Sequence, residues 1–188
     1  MIVKDEAEPL PRCLQSVQGI VDELVVVDTG SRDRTIAIAQ EFGARVYSWD
    51  WTDDFAAARN YALQHAQGNW ILVLDADEVL LPDCVPHLQT LTQSPDLIAI
   101  TLLRQEKGAQ QNPYSLLSRL FRRHAAIQFN RPYHESIDDS VTALIATDPR
   151  WQVATLPTPA IAHEGYRPDA IVARDKAARA ARIMGRYT

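Results

Sequence analysis

Two apolar runs each end on an acid: Leu24-Val25-Val26-Val27-Asp28, and Ile71-Leu72-Val73-Leu74-Asp75, which continues as Ala76-Asp77-Glu78. Ligands of open parallel sheets bind outside the carboxyl ends of the strands, so this pattern puts Asp28 and Asp75 on one rim. Asp75 and Asp77 are separated by one small residue where a strand opens into a loop, and both carboxylates can turn toward one cation. Mg2+ and similar hard ions use one or two carboxylates and complete their shell with water and substrate phosphates. A nucleoside diphosphate meets that demand. An isolated D-x-D is as readily an acidic loop, but the preceding Trp70-Ile71-Leu72-Val73-Leu74 favours a site. Arg59, followed by Asn60, is a candidate anchor for a phosphate or a base, although a lone helix arginine is more often a solvated ion-pair partner. His134-Glu135 and His163 are candidates for a general base and a third metal ligand, because both residue types can be tuned toward neutral pKa and neutral imidazole coordinates metals.

These residues need a scaffold, and the first half of the chain alternates strand-like and helix-like segments at the spacing of a parallel α/β fold. Leu10, Cys13, Leu14, Val17 and Val21 recur at helical spacing behind Pro9 and Pro11. A strand to Asp28 follows, then a helix from Arg32 to Phe42 closed by Gly43, a short strand Ala44 to Ser48, an Ala-rich helix Phe55 to Ala66, and a strand Trp70 to Leu74. Pro82 to Leu91 reads as helix and Leu97 to Leu103 as strand. Gln105 to Pro113 reads as a polar loop, and Leu116 to Ile145 as mixed short strands. Pro157 and Pro159 bracket a connection into Ala160-Ile161-Ala162-His163, and Asp169 to Arg186 reads as a basic helix. The opening apolar run, Met1-Ile2-Val3, is shorter than the about five residues usual for a central strand, so the first strand is expected to lack its beginning.

The 188 residues suit a single domain, with 46% hydrophobic residues and a net charge of -5. That charge argues against a general nucleic-acid or anionic-membrane binder, so an anionic ligand needs a metal or local cations. Cys13 and Cys84 are too far apart in sequence for a metal knuckle or redox pair and read as buried free thiols. The chain offers neither an apolar stretch near the roughly 18 residues of a membrane span nor a signal-peptide core, which makes the cytoplasm the default compartment.

Taken together, Met1-Ile2-Val3-Lys4-Asp5-Glu6, Val27-Asp28-Thr29-Gly30-Ser31-Arg32-Asp33-Arg34-Thr35, Ala58-Arg59-Asn60, Trp70 to Glu78, His134-Glu135 and His163-Glu164-Gly165-Tyr166 resemble family-2 glycosyltransferases of the GT-A fold. The most similar branch includes relatives of lipopolysaccharide-core β-glucosyltransferases and bacterial enzymes with helical-repeat tails. The resemblance implies a mostly parallel central sheet flanked by helices, a donor-binding half over about residues 1–80 and an acceptor half over about 81–188. It implies that Asp28 contacts the uracil or ribose of a sugar nucleotide, Glu6 lines the nucleotide pocket, and Arg59 supports the nucleotide. It further implies that Asp75 approaches the ribose and metal, while Asp77 and His163 coordinate Mg2+ or Mn2+. Glu135 takes the place of the catalytic carboxylate, with His134 beside it. The implied reaction is inverting transfer from a nucleotide-diphosphate donor, expected to be a UDP-sugar, to a glycan, lipid-linked or protein acceptor. Peripheral membrane contact is compatible with it; nucleic acid is not an expected partner.

Two other readings compete. A nucleotidyltransferase would carry a Gly-rich basic loop after its first strand, where Lys4-Asp5-Glu6-Ala7-Glu8-Pro9 is acidic and without glycine. A non-catalytic sugar-nucleotide-binding module or degenerate fragment fits the short first strand but not the presence of Asp28, Asp75, Asp77 and Glu135.

Overall fold

The computed structural model describes residues 1–109 and 111–164. The helix expected over Asp169 to Arg186, and Gly165-Tyr166, lie outside the described residues.

The first half builds a parallel sheet in the order β1 (Ile2–Val3), β2 (Val25–Asp28), β3 (Arg45–Ser48). The apolar face of α1 (Leu10–Val17) buries Leu10, Cys13, Leu14 and Val17, and prolines occupy its entrance, where a missing N–H costs nothing. α2 (Thr35–Glu41) ends before Gly43, whose φ of 78° turns the chain into β3. α3 (Phe55–His65) is started by Asp54, whose carboxylate accepts from the Ala57 N–H at 2.9 Å. The α/β fold with a parallel sheet flanked by helices is therefore as expected.

Parallel pairing extends only partly into the second half. There a five-stranded sheet runs β4 (Trp70–Leu72), β7 (Tyr114–Arg122), β6 (Leu97–Glu106), β8 (Gln152–His163), β5 (Glu78–Leu80), and only the β6–β8 pair is parallel. A 3-10 turn at Pro82–Cys84 leads into α4 (Val85–Thr92), and α5 (Asp138–Thr147) packs Val141 beside Phe121, Phe129 and Ile137. Two expectations are corrected here. The stretch Leu116 to Ile145 holds one long strand, β7, and one helix, α5, rather than several short strands. Pro157 and Pro159 lie inside the strand β8 rather than in a connection before it. The β6–β8 register jumps from Leu102↔Leu156 to Leu103↔Pro159, so Pro157 falls in the skipped stretch, where no ladder partner asks it to donate.

β1 has two residues, and an apolar cavity of about 410 Å³ opens between the β2 and β4 segments, lined by Leu24, Val26, Leu63, Trp70, Leu72 and Leu88 among others.

Candidate active site

Most of the candidate residues lie near the carboxyl ends of the strands. Where β2 ends, the buried Asp28 folds back on its own turn and accepts from Gly30 N at 2.9 Å and Ser31 N at 3.0 Å. Gly30 has φ 100°, a conformation that L side chains rarely adopt. The turn is sewn to the loop after β1: Thr29 N donates to Val3 O, Asp5 N to Ser31 Oγ, and Glu6 N to Thr35 Oγ1. Asp28 and the partly buried Glu6 thus share the rim of β1 and β2.

The loop after β4 is the centre of an ion network. The guanidinium of Arg59, on α3 and almost fully buried, forks between two carboxylates, with Nη2 on Asp75 Oδ1 at 2.5 Å and Nε on Glu135 Oε1 at 2.8 Å. Arg119, from β7, holds the other Asp75 oxygen at 2.9 Å and lies 3.6 Å from Glu78. Burial works against ionisation of Asp75, but the Arg119 and Arg59 guanidiniums outweigh it and hold its pKa well below the usual carboxylate range. Burial would lower the Arg59 pKa, and Asp75 and Glu135 together raise it. Asp75, expected at the ribose and metal, is therefore an ion-pair centre with a guanidinium on each oxygen.

Asn60 explains its place beside Arg59. Its side-chain amide donates to Phe129 O at 2.9 Å and accepts from Phe129 N at 2.8 Å. It thereby docks α3 against the segment leading to Glu135. That segment closes tightly, since Asn130 and Ser136 exchange backbone hydrogen bonds across five residues, with Arg131 and His134 at positive φ. Glu135 points inward to Arg59, and among the described residues only its Oε1 is hydrogen-bonded. His134 is exposed at the crest of the loop, with Tyr133 edge-on at 4.4 Å.

At the ends of β6 and β8, His163 stands between two acids: Nδ1 is 2.6 Å from Glu106 Oε2 and Nε2 is 3.3 Å from Asp77 Oδ2. Burial lowers the pKa of the ring, but the bonds to Asp77 and Glu106 prevail and raise it. Among the described residues no three His, Cys, Asp or Glu side chains form a metal cage on their own. The donor set still fits a hard cation. With Nδ1–H donated to Glu106, a neutral ring aims its Nε2 lone pair at the Asp77 carboxylate, and two facing acceptors are reconciled by a proton or a cation. The surrounding network counts five carboxylates (Asp75, Asp77, Glu78, Glu106, Glu135) against three guanidiniums (Arg59, Arg104, Arg119) among the described residues. The carboxylate oxygen of Asp77 and the imidazole nitrogen of His163 are donors of the kind a divalent ion shares with phosphate oxygens and water.

The structure thus joins Arg59, Asp75 and Glu135 in one cluster and Asp77 with His163 in another. Glu78 and Arg104 connect the two: Arg104 reaches Glu78 at 2.7 Å and Glu106 at 2.7 Å. Among the described residues no hydrogen bond or ion pair joins Asp28 or His134 to this network. Glu78 stands in the Asp75-Ala76-Asp77-Glu78 run without an assigned role, and Arg104, Glu106 and Arg119 are absent from the residues singled out in the sequence. Charges set within strongly apolar strand runs, as in Leu102-Leu103-Arg104 and Arg119-Leu120-Phe121, were the signal available.

Residues 1–153 match the family model described as glycosyl transferase family 2. A TPR repeat-containing protein of Synechococcus elongatus is 55% identical over 179 residues, covering 95% of this chain and 44% of that protein. An uncharacterized glycosyltransferase of Rickettsia felis is 31% identical over 150 residues, covering 75% of this chain and 52% of its own. The chain thus spans about half the length of these curated relatives. Among solved structures, glucosyl-3-phosphoglycerate synthase from Mycobacterium tuberculosis in complex with Mg2+ and UDP superposes with a TM-score of 0.65 at 19% identity, covering 98% of this chain and 77% of that one. This likeness is one of fold.

Proposed function

The chain belongs to glycosyl transferase family 2, and from that premise we propose that it moves a sugar from a nucleotide-diphosphate donor, a UDP-sugar, to an acceptor hydroxyl with inversion at the anomeric carbon. The observation that carries this reading is the pairing of Asp77 with His163 on one side of a buried ion network and of Arg59 with Glu135 on the other. One end of the network is built for a cation and a diphosphate, and the other holds a carboxylate at a fixed place.

Asp28, Glu6 and the turns they stabilise form the nucleoside end of the site. Asp77 and His163 would hold Mg2+ or Mn2+, as a solved neighbour binds Mg2+ with UDP. When bound, the ion supplies Lewis-acid stabilisation of the charge on the departing diphosphate. Asp75 orients the cluster: it takes two guanidiniums and receives Arg59, whose other arm fixes Glu135. Glu135 removes the proton from the acceptor hydroxyl as that oxygen attacks, using the oxygen that Arg59 leaves open. His134 stands beside it on the acceptor side. No covalent sugar–enzyme intermediate is needed in this scheme.

The test is a donor-hydrolysis assay with UDP- and GDP-sugars, with and without Mn2+, in which NMR reads the released anomer. Slow Mn2+-dependent release of the inverted sugar from a UDP donor is the expected result. Metal-dependent nucleotide binding with no release from any donor would replace the enzyme by a binding module.

A further inference from the structure

Glu106 is one of the more deeply buried carboxylates in the protein, 6% exposed, at the last position of β6 opposite His163 in the β6–β8 ladder. Nothing in the transfer scheme uses it, yet both of its oxygens are committed. Oε1 accepts from Arg104 Nε at 2.7 Å and from Ser115 Oγ at 2.7 Å, and Oε2 faces His163 Nδ1 at 2.6 Å. Arg104 is in turn held by Glu78, which is fully buried and accepts from Asp75 N at 2.8 Å. The orientation of Glu106 is therefore dictated from three elements, β5, β6 and β7.

An ionised carboxylate can only accept, so its hydrogen bond to Nδ1 requires the proton on Nδ1. In a neutral imidazole the other nitrogen is then the acceptor, and here that nitrogen is the one facing Asp77. We propose that Glu106 is the positioning residue that selects the Nδ1–H tautomer of His163 and so makes the Asp77–His163 pair competent for a divalent cation. The inference rests on the reading of Asp77 and His163 as cation ligands. It gives the Arg104–Glu78 pair a purpose as well: it keeps the Glu106 carboxylate in the rotamer that presents Oε2 to the ring.

The geometry makes Glu106→Gln an isosteric switch. Arg104 Nε–H can donate only to the amide oxygen of glutamine, so the amide NH2 is left facing His163 Nδ1. That nitrogen must then accept, which moves the ring proton to Nε2 and points it at Asp77. Loss of such an outer-shell partner typically costs about 10–100-fold in metal affinity.

The experiment uses the full chain, labelled with 15N-histidine and assigned by a His163→Ala control. Nitrogen shifts recorded at alkaline pH, where the ring is neutral, report the tautomer, and Mn2+ titration in the presence of UDP reports affinity. The wild type is expected as Nδ1–H. Glu106→Gln is expected as Nε2–H, with Mn2+ affinity reduced by about 10–100-fold and an unchanged circular dichroism spectrum. Wild-type His163 in the Nε2–H form overturns the proposal without any variant needing to fold. So does a Glu106→Gln protein that binds Mn2+ as the wild type does while His163→Ala does not. A wild type that binds no Mn2+ at all would overturn the site reading itself and this inference with it, and that pattern is distinct from the other two.

Discussion

Replacing Arg59 with methionine keeps the length and apolar contacts of the side chain while removing the fork between Asp75 and Glu135. Two carboxylates lose a partner, but unequally. Asp75 keeps Arg119 at 2.9 Å and its side chain is 34% exposed, so much of its compensation survives. Glu135 is 15% exposed, and Arg59 is its only hydrogen-bond partner among the described residues. Breaking a buried pair from one side typically costs about 3–5 kcal/mol because the other charge is stranded. The retained Arg119 contact places Arg59→Met near the low end, and at about 2–4 °C per kcal/mol for a chain of this size the melting temperature should fall by about 6–12 °C. Arg59→Lys should recover only part of this, since one ammonium cannot reproduce a planar fork to two acids. The double variant Arg59→Met/Glu135→Gln should melt above Arg59→Met, because neutralising the stranded acid removes most of the penalty. Differential scanning calorimetry of the four proteins reads all of this. If Arg59→Met melts within about 2 °C of the wild type, or the double variant melts lower than the single, the ion network is not what holds Glu135 in place.

Other consequences are simpler to measure. Glu135→Gln should slow sugar transfer by about 10²–10⁴-fold with nucleotide affinity nearly unchanged, which a radiolabelled-donor assay and a binding isotherm separate. UDP with Mn2+ should raise the melting temperature of the wild type but not of Asp77→Ala, since only a ligand bound by the native state stabilises it. The pH dependence has opposite signs at two residues. The Asp75 pKa is depressed on folding, so its contribution is present above about pH 4 and is lost as the pH falls through the folded value, giving an acid transition that Asp75→Asn removes. The His163 pKa is raised, so without metal its contribution is complete below about pH 6.5 and fades as the pH rises through the folded value; His163→Gln should flatten that alkaline limb. Cys13 is buried, with its thiol pushed up to about 12 chiefly by desolvation, so thiol reagents at neutral pH should leave it unmodified until the protein unfolds.

The legible part of this protein was its first half, where periodicity, proline and glycine placement and strand length agree with one another. β2, β3, α1, α2 and α3 all fall where apolar spacing and caps put them, to within a few residues. The second half resisted for physical reasons. β8 contains Pro157 and Pro159, which ordinarily argue against a strand, and the register jump opposite Leu102 and Leu103 that leaves Pro157 outside the ladder cannot be read from the sequence. At the site, sequence patterns found the residues with a characteristic neighbour, such as Asp75 and Asp77 after an apolar run. They gave Glu78 no role and could not find Glu106, Arg104 and Arg119, whose roles come from partners on other strands brought together by pairing. They also assigned Asp75 to a ligand-binding role without the two arginines that face its carboxylate. Among the described residues no helix is long and apolar enough to cross a membrane.

If Asp77 and His163 hold a divalent ion, nucleotide binding should depend on that ion. Isothermal titration of UDP into the wild-type chain, with Mn2+ and then with excess chelator, tests it directly. The expected result is a saturable one-to-one isotherm with Mn2+ that collapses when the chelator is present and in the Asp77→Ala protein. UDP binding of equal strength with and without the metal would contradict it.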